Sequence, residues 1–283
     1  MNDLQKVLLN LLKEFIRVCE KHNLRYFLVG GSCLGAARHQ GFIPWDDDID
    51  VGMPREDYDK FVELSSEYEG THYFLQTWKT DPHYNYNYAK LRDSNTTFIE
   101  DLYFMHRINH GIWIDIFPID GMSYNKNDDP KKFAKKITYL WFQDYLSYCS
   151  QLRRKVRKRT FFKDIGLNIL GGLLWPLDMF HYRRKHTERI VTKIPFAKSA
   201  LAGNYFGINM KREAMPRELF EEYTKLKFED IEVCVPKDYD KYLTNLFHDW
   251  RKLPPEEKRV THHKNKGFSL TEGYESYMYK HRM

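Results

Sequence analysis

Residues 29–51 of the chain read VGGSCLGAARHQGFIPWDDDIDV, and this stretch decides the fold. It joins a glycine-rich turn, Gly30-Gly31-Ser32, to an acidic run that ends in β-branched residues. Because the turn follows an apolar run, we predict a strand that ends at Val29. A short helix should then run from Ser32 to His39, with the hydroxyl of Ser32 in the capping position.

The acidic run contains Asp46, Asp47, Asp48 and Asp50. We predict a strand over residues 43–53. Side chains alternate along a strand, so Asp46, Asp48 and Asp50 would share one face. Carboxylates two residues apart on one face repel each other unless a cation lies between them. The run therefore predicts a site for a divalent metal ion.

Other acidic motifs fit this run less well. A helix cap needs one acid, not three on a face. An EF-hand loop that starts at Asp46 needs glycine at its sixth position, where the sequence has Val51. The Asp-x-Asp motif of glycosyltransferases does match Asp48-Ile49-Asp50 in spacing. However, a glycine turn leading into a helix N-terminus forms a nest for anions, and its place before the acids favours a phosphate-binding site over that motif.

A third carboxylate is predicted farther along the chain. The strand predicted over 111–117 places Trp113, Asp115 and Phe117 on one face and three isoleucines on the other. A single acid on the aromatic face of a buried strand costs free energy unless it is paired or bound to a metal. Asp115 is therefore the candidate for the third metal ligand.

Another predicted strand, at 84–92, carries two cations. Lys90 and Arg92 would share a face with three tyrosines. The two charges are either ordinary sheet-edge charges or phosphate contacts, and their position on a tyrosine face favours phosphate. The tyrosines themselves suit a packed sheet face as well as a ligand surface.

Four blocks of the sequence resemble the LicD family, which also covers the fukutin-type transferases and has the nucleotidyltransferase fold. In chain order they are Gly30-Gly31-Ser32, Pro44–Asp50, Asp115–Gly121 and Leu253–Arg259. The resemblance runs from about Leu24 to Arg259. It implies an α+β fold with a nucleotidyltransferase-type mixed β-sheet core, helices that flank it and a helical insert.

The resemblance also implies a reaction. The family transfers a phospho-alcohol, usually phosphocholine, from a CDP-activated donor to a sugar hydroxyl of a cell-surface glycan or teichoic acid precursor. The expected cofactor is Mg²⁺, with Mn²⁺ as an alternative. Its ligands, which are also the catalytic residues, would be Asp48, Asp50 and Asp115. The donor-binding residues that the resemblance implies are Gly30, Gly31, Ser32 and Lys90, and the residue patterns add Arg92, Trp45 and Trp113.

Three alternatives stay open. The transferred alcohol could be ribitol phosphate or glycerol phosphate instead of phosphocholine. The reaction could be nucleotidyl transfer to a small molecule or a protein. The chain could also be a metal-stabilised binding protein without catalysis, although three intact acids argue against that.

Aromatic residues favour choline as the alcohol. A quaternary ammonium group donates no conventional hydrogen bond, so proteins surround it with aromatic faces. The chain is 16% aromatic. The aromatic residues near the predicted metal ligands are Trp45, Tyr84, Tyr86, Tyr88, Trp113 and Phe117. A donor carrying ribitol or glycerol would need polar partners such as Asn85 and Asn87, with the strand turned the other way.

The composition, 42% apolar and 30% charged, is that of a globular protein. We predict one transferase domain over 1–283, with its core at about 22–125 and 200–260 and the helical insert at about 130–195. Four cysteines lie far apart, and the N-terminus has no signal-like apolar run. A cytoplasmic location is expected.

The insert combines basic clusters with an uncharged run. Seven residues at 153–159 include six Lys or Arg, and residues 165–177 carry no charge. That run is shorter than the roughly 18–20 residues needed to span a bilayer. Residues 151–185 are either a buried helical hairpin or an element that lies on an anionic membrane at its inner face, near a lipid-linked acceptor. We expect no nucleic-acid partner, because the net charge is only +6 and no recognition motif is present.

Overall fold

The structure is a computed structural model that describes residues 1–101, 103, 106–151, 165, 166, 169, 170, 172, 173, 176, 181–207, 209–261 and 263–283. For residues 130, 131, 143–151, 210 and 211 it describes the backbone alone. Most of the predicted membrane element at 151–185 therefore lies outside the described residues. Within the described part of the chain, none of the helices combines the length and the apolar character that crossing a membrane requires.

Helices and strands alternate along the chain. Among the described residues the α-helices are α1 (Asp3–Lys21), α2 (Gly30–His39), α3 (Arg55–Phe61), α4 (Pro130–Gln151), α5 (Tyr182–Val191), α6 (Tyr239–Phe247) and α7 (Tyr274–His281). The strands are β1 (Phe27–Leu28), β2 (Asp50–Pro54), β3 (Tyr73–Gln76), β4 (Ala89–Asp93), β5 (Thr97–Glu100), β6 (Ile112–Ser123), β7 (Leu201–Gly203), β8 (Met215–Pro216), β9 (Tyr223–Phe228), β10 (Ile231–Pro236) and β11 (Asn265–Ser269).

The main sheet has the order β1-β2-β6-β4-β3, and β7 and β8 continue from the far end of β6. Only the β2–β6 pair is parallel among the described ladders, so the sheet is mixed. The central strand β6 is buried along its whole length. This confirms the predicted combination of helices with a mixed sheet.

Helix α1 covers one side of this sheet, and apolar residues that recur at i, i+3, i+4 and i+7 spacing predict an amphipathic helix over residues 3–21 from the sequence alone. Leu8, Leu12 and Phe15 are almost completely buried, and each such side chain contributes about 1.5–3 kcal/mol. The helix begins with a capping box, in which Asn2 and Gln5 exchange side-chain and backbone hydrogen bonds. Gln5 also reaches out of the helix toward the acidic segment.

The strand predicted over 43–53 is wrong in its first half, because β2 begins only at Asp50. Residues 43–49 form a turn and an irregular segment. The N–H of Asp46 donates to the carbonyl of Ile43 (2.9 Å), and the Gln5 amide donates to the carbonyls of both residues. Pro44 supplies no N–H for a strand ladder. Asp46 and Asp48 therefore do not share a strand face with Asp50.

Two other local predictions need correction. The strand predicted at 84–92 begins at Ala89, so the three tyrosines precede β4 instead of lining it. Helix α2 begins at Gly30, with Val29 as its N-cap, so Ser32 does not cap the helix. Its hydroxyl instead accepts a hydrogen bond from the N–H of Asp50 at 2.9 Å and fixes the start of β2.

The acidic segment is held from a second side by the hairpin of β9 and β10. Glu229, at the turn of this hairpin, accepts a hydrogen bond from the N–H of Phe42 (3.1 Å). Its own N–H donates to the carbonyl of Gln40 at 2.9 Å. Helix α2 passes closely beneath this connection, and a Cβ added to Gly35 would lie 2.6 Å from the carbonyl oxygen of Gly41.

This close approach predicts the direction in which a substitution at Gly35 changes the free energy of unfolding. In an isolated helix, alanine is more favourable than glycine by about 1 kcal/mol. We expect Gly35→Ala to lower the free energy of unfolding by about 1–3 kcal/mol instead, because the backbone at Gly41 would have to move. Thermal denaturation measures the change. Gln40→Gly, at the left-handed C-cap of the same helix, is the control and should be neutral or slightly stabilising. A higher melting temperature for Gly35→Ala would contradict the packing described.

Candidate active site

Three neighbouring strands bring charged side chains to one place. Asp50, the first residue of β2, lies opposite Asp115 in the parallel ladder with β6. Lys90, in the antiparallel strand on the other side of β6, is also opposite Asp115. The N–H of Asp115 donates to the carbonyl of Ile49 at 2.9 Å, so the acidic segment is tied to β6 one residue before β2 begins.

The carboxylates of Asp48, Asp50 and Asp115 are close enough to repel one another. Burial raises the pKa of Asp50 well above its usual value, and the charges of Asp48 and Asp115 raise it further. Burial also raises the pKa of Asp48. His263 opposes that shift, and the charge of Asp115 adds to it. The structure thus brings together the three predicted metal ligands, although Asp48 precedes the strand.

Lys90 is a buried cation beside this cluster. Its side-chain nitrogen lies 3.1 Å from Oδ1 of Asp115 and 3.9 Å from Oε2 of Glu100. The ammonium group also stands 3.9 Å from the ring centre of Trp113 and 4.9 Å from that of Tyr86. One ammonium group offsets only part of the negative charge that the three carboxylates would carry when ionised.

The glycine turn lies directly against the acids. Gly30 has a φ of +54°, a left-handed conformation that glycine adopts without strain. A Cβ on Gly30 would lie 3.3 Å from Oδ2 of Asp50, and one on Gly31 would lie 3.2 Å from Oδ2 of Asp46. The two glycines therefore leave a narrow space between the N-terminus of α2 and the carboxylates.

Tyr242, from helix α6, holds this turn in place. Its hydroxyl accepts a hydrogen bond from the N–H of Gly30 at 3.0 Å, and its side chain is almost completely buried. The N–H groups of Gly31 and Ser32 belong to the first turn of α2, where the helix supplies no acceptor. No local pattern indicated that Tyr242 contacts the turn, because 212 residues separate it from Gly30 in the chain.

Asp46 also lies in an unfavourable environment for a negative charge. Burial, the charge of Asp48 and a hydrogen bond with Asp48 raise the pKa of Asp46 to about 8. The metal-free site therefore keeps a proton between these two carboxyl groups at neutral pH.

His263 is a site residue that the sequence analysis did not select. Its N–H donates to Oδ2 of Asp47 (3.2 Å), and its ring Nδ1 lies 3.1 Å from Oδ1 of Asp47 and 3.9 Å from Oδ2 of Asp48. Burial opposes the charged imidazole, but the hydrogen bond to Asp47 and the charges of Asp48 and Asp47 raise the pKa of His263 to about 9. The His-His pair at 262–263 is the sequence feature that could have indicated His263. Residue 262 itself lies outside the described residues.

Two sets of side chains could hold a metal ion, and they share Asp48. The first contains Asp48, Asp50 and Asp115. In the second, one ligand atom each from Asp47, Asp48 and His263 lie within 4.8 Å of one another. A charged imidazole cannot act as a ligand, so the second set must first lose a proton. Carboxylates that repel one another suit a hard cation such as Mg²⁺. In addition, the buried Oδ1 of Asp115 accepts no well-aligned hydrogen bond among the described residues. The carboxylate oxygens of the first set are therefore the ligand type that Mg²⁺ prefers, but among the described residues only the second set has three ligand atoms within 4.8 Å of one another.

The structure does not favour all of the predicted donor contacts. Arg92 is completely buried, and its N–H groups donate to the side chain of Gln76, to the carbonyl of Gly111 and to Glu100. Trp113 is 4% exposed. A donor contact by either residue would require these buried arrangements to open.

Trp45 is more accessible than Trp113. It is partly buried, and the guanidinium group of Arg259 lies 5.6 Å from its ring centre. Arg259 also donates to the carbonyl of Pro254. The fourth sequence block, 253–259, therefore packs against the acidic segment, as His263 does.

Comparisons with known proteins identify relatives of this chain. A family model described as "LicD/FKTN/FKRP, nucleotidyltransferase domain" matches residues 23–149. The lipopolysaccharide cholinephosphotransferase LicD of Haemophilus influenzae is 31% identical over 278 residues, which cover 95% of this chain and 98% of that protein. Human ribitol 5-phosphate transferase FKRP is 55% identical over 42 residues, which cover 15% of this chain and 8% of that protein.

The acid cluster predicts how the metal-free protein responds to pH. The pKa of Asp46, about 8 in the folded protein, exceeds the value of about 3.9 for an unfolded chain. The folded state then binds more protons than the unfolded state, so stability falls as pH rises through this interval. The raised pKa of His263, about 9, acts with the same sign between about pH 6.5 and pH 9. We expect the melting temperature in EDTA to fall between about pH 6 and pH 8, and Mg²⁺ to restore it most at the higher pH.

Asp50→Asn provides the matched variant for this measurement. Removing one repelling charge should raise the melting temperature in EDTA by roughly 2–4 °C for each kcal/mol of repulsion relieved, and it should weaken the effect of Mg²⁺. Differential scanning calorimetry with EDTA or Mg²⁺ measures both. Stability that increases with pH in EDTA, or an Asp50→Asn protein that still gains fully from Mg²⁺, would contradict the charge arrangement.

Proposed function

Because this chain belongs to the LicD family, we propose that it moves phosphocholine from CDP-choline to a sugar hydroxyl of a cell-surface glycan, such as a lipopolysaccharide or a teichoic acid precursor. The observation that carries the proposal is the close approach of the Gly30-Gly31 turn to the carboxylates of Asp50 and Asp46, which leaves little room for a side chain on either glycine. An anion-binding turn and a cation-binding cluster thus face one narrow space, as transfer of a phosphoryl group requires. Similarity to a cholinephosphotransferase over 98% of its length supports choline as the alcohol.

The main alternative is transfer of ribitol phosphate. The matched FKRP segment covers only 15% of this chain, so it supports the shared chemistry more than the identity of the alcohol. We also infer that the mixed sheet is of the nucleotidyltransferase type, because the turn after β1 and the acids of β2 and β6 meet at one edge of the site. The single domain over 1–283 stays a prediction.

We propose Mg²⁺ as the cofactor, with Asp48, Asp50 and Asp115 as its ligands. When bound, Mg²⁺ would supply charge neutralisation at the phosphates and would polarise the acceptor oxygen. The carboxylates lie on two adjacent strands and the segment tied to them, so the backbone ladder and not side-chain flexibility holds them in position.

The remaining groups of the site act on the donor. The N–H groups of Gly31 and Ser32 at the first turn of α2 point their positive ends toward a phosphate in the narrow space. The ammonium group of Lys90 adds a full positive charge on the other side of Asp115. Tyr242, by binding the N–H of Gly30, keeps the turn at the distance from Asp50 that the donor needs.

The reaction is an in-line displacement at the phosphorus that carries choline. The acceptor hydroxyl oxygen forms the new P–O bond, the bond to the bridging oxygen breaks, and CMP leaves with the bond electrons. We assign Asp115 to take the proton of the acceptor hydroxyl, because its carboxylate lies between Asp50 and Lys90. Positioning and charge neutralisation supply most of the rate in such transfers.

The assignment of the acids is tested by Asp48→Asn and Asp50→Asn. Each should reduce CMP release from CDP-choline by on the order of 10²–10³-fold or more, while circular dichroism shows a folded protein. Asp249→Asn is the control, because that exposed acid pairs only with Lys252 among the described residues and should keep full activity. Full turnover by either site variant, or by the wild type in EDTA, would refute a metal-dependent reaction at this cluster.

We further propose that residues 151–185 bring the enzyme to an anionic membrane surface, where a lipid-linked acceptor would lie. Each Lys or Arg near such a surface contributes about 1 kcal/mol, and the run at 153–159 has six of them. Flotation with vesicles of anionic lipid should therefore show binding that falls steeply with salt. Replacing these six residues by glutamine should abolish it. Equal binding to neutral and anionic vesicles, or binding to neither, would exclude the membrane role.

A further inference from the structure

A cavity of about 130 Å³ lies between helices α3 and α5 and the segments that flank β3 and β4. Its lining contains four aromatic side chains, Tyr58, Trp78, Tyr88 and Phe206. None of these belongs to the turn, to the acids or to the basic residues of the site described above.

A row of aromatic rings leads from the acid cluster to this cavity. Phe117 follows Asp115 by two residues in β6, and its ring centre lies 4.4 Å from that of Tyr88. The ring of Tyr88 lies 6.3 Å from that of Phe206 and 5.9 Å from the ammonium group of Lys90. Tyr88 therefore belongs to both regions. One side of its ring faces the Lys90–Asp115 pair, and another side lines the cavity.

The basic groups in the lining are engaged by protein partners. Arg55 forms a two-pronged ion pair with Asp120 at 2.7 and 2.8 Å and also contacts Asp59. Lys79 pairs with Glu63 at 2.6 Å. Arg184, the third, donates to the backbone carbonyl of Tyr84 and to the side chain of Asn85.

One carboxylate in the lining differs from these basic groups in its hydrogen bonds and ion pairs. Glu188 of α5 is exposed, and among the described residues no hydrogen bond or ion pair engages its carboxylate. Aromatic faces with a nearby carboxylate form the usual environment for a quaternary ammonium group. The lining of the cavity therefore suits a cation that donates no hydrogen bonds.

The size of the cavity limits what it can hold. A cavity of about 150 Å³ holds one benzene molecule, whereas sites for larger ligands measure about 300–1,000 Å³. At about 130 Å³, this cavity is of the size that suits a compact group such as trimethylammonium.

We propose that this cavity receives the trimethylammonium group of the donor, with Trp78 and Tyr88 as aromatic walls and Glu188 as the counter-charge. The inference rests on the proposed function, because it requires a donor that carries choline. The aromatic row then guides the alcohol from the phosphorus, which lies near Asp115, past Phe117 and Tyr88. Of the aromatic residues that the sequence analysis named for choline, Tyr88 and Phe117 take part in this arrangement, whereas Trp113 and Tyr84 are buried.

Isothermal titration calorimetry with the full-length protein and Mg²⁺ tests the inference through the variants Trp78→Leu and Glu188→Gln. The probes are CDP-choline, CMP and the neutral 3,3-dimethylbutyl analogue of CDP-choline. Both variants should weaken CDP-choline binding by about 3- to 30-fold and change CMP binding by less than about twofold. Glu188→Gln should leave the neutral analogue unaffected, because only the charge has been removed. Tyr223→Leu and Glu232→Gln, at exposed positions of the β9–β10 hairpin, are the matched controls.

Each other outcome overturns the assignment. Equal losses for CMP and CDP-choline would show that the cavity serves the nucleotide or the fold. Unchanged affinity in both variants would show that the cavity is not used, and wild-type turnover of CDP-choline would then leave the proposed function intact. A wild type that turns over CDP-ribitol but not CDP-choline would refute both. Because Glu188 is exposed, its variant should fold even if Trp78→Leu does not.

Discussion

The parallel pairing of β2 with β6 is the constraint on which the site depends. It places Asp50 beside Asp115 in a register that the two backbones fix, and Asp48 follows because the N–H of Asp115 binds the carbonyl of Ile49. Like charges held this close in a buried place raise the free energy of the folded protein. The strands cannot separate to relieve the repulsion, because they form the centre of the sheet. Relief has to come from protons or from a cation.

The groups around the acids relieve the repulsion only in part. Lys90 meets Asp115, and His263 meets Asp47 and Asp48, so each end of the cluster has one positive partner. Asp50, between them, keeps a strongly raised pKa. Such incomplete compensation is costly for stability, and a divalent ion bound at the carboxylates would remove part of that cost. The metal-free protein is therefore strained in the place where the proposed chemistry occurs.

Residues that are distant in the chain complete the site. Tyr242 and His263 come from the last fifth of the sequence, yet one holds the turn at Gly30 and the other the acidic segment at Asp47. The two features of the segment at 29–51 are thus fixed from outside that segment. A variant far along the chain can therefore change the position of the phosphate-binding turn without touching an acid.

The sequence by itself determined the elements whose side-chain pattern is local. Helical spacing predicted α1, alternation predicted β6 with Asp115 on its aromatic face, and the glycine and aspartate blocks predicted what the site contains. Only the tertiary structure decided that β2 begins at Asp50 and that His263 joins the acids. Gln5 turns the acidic segment away from a strand, and the hydrogen bond of His263 spans 216 residues. Hydrogen bonds between residues so far apart leave no periodic trace in the sequence, and that is why these features could not be predicted from it.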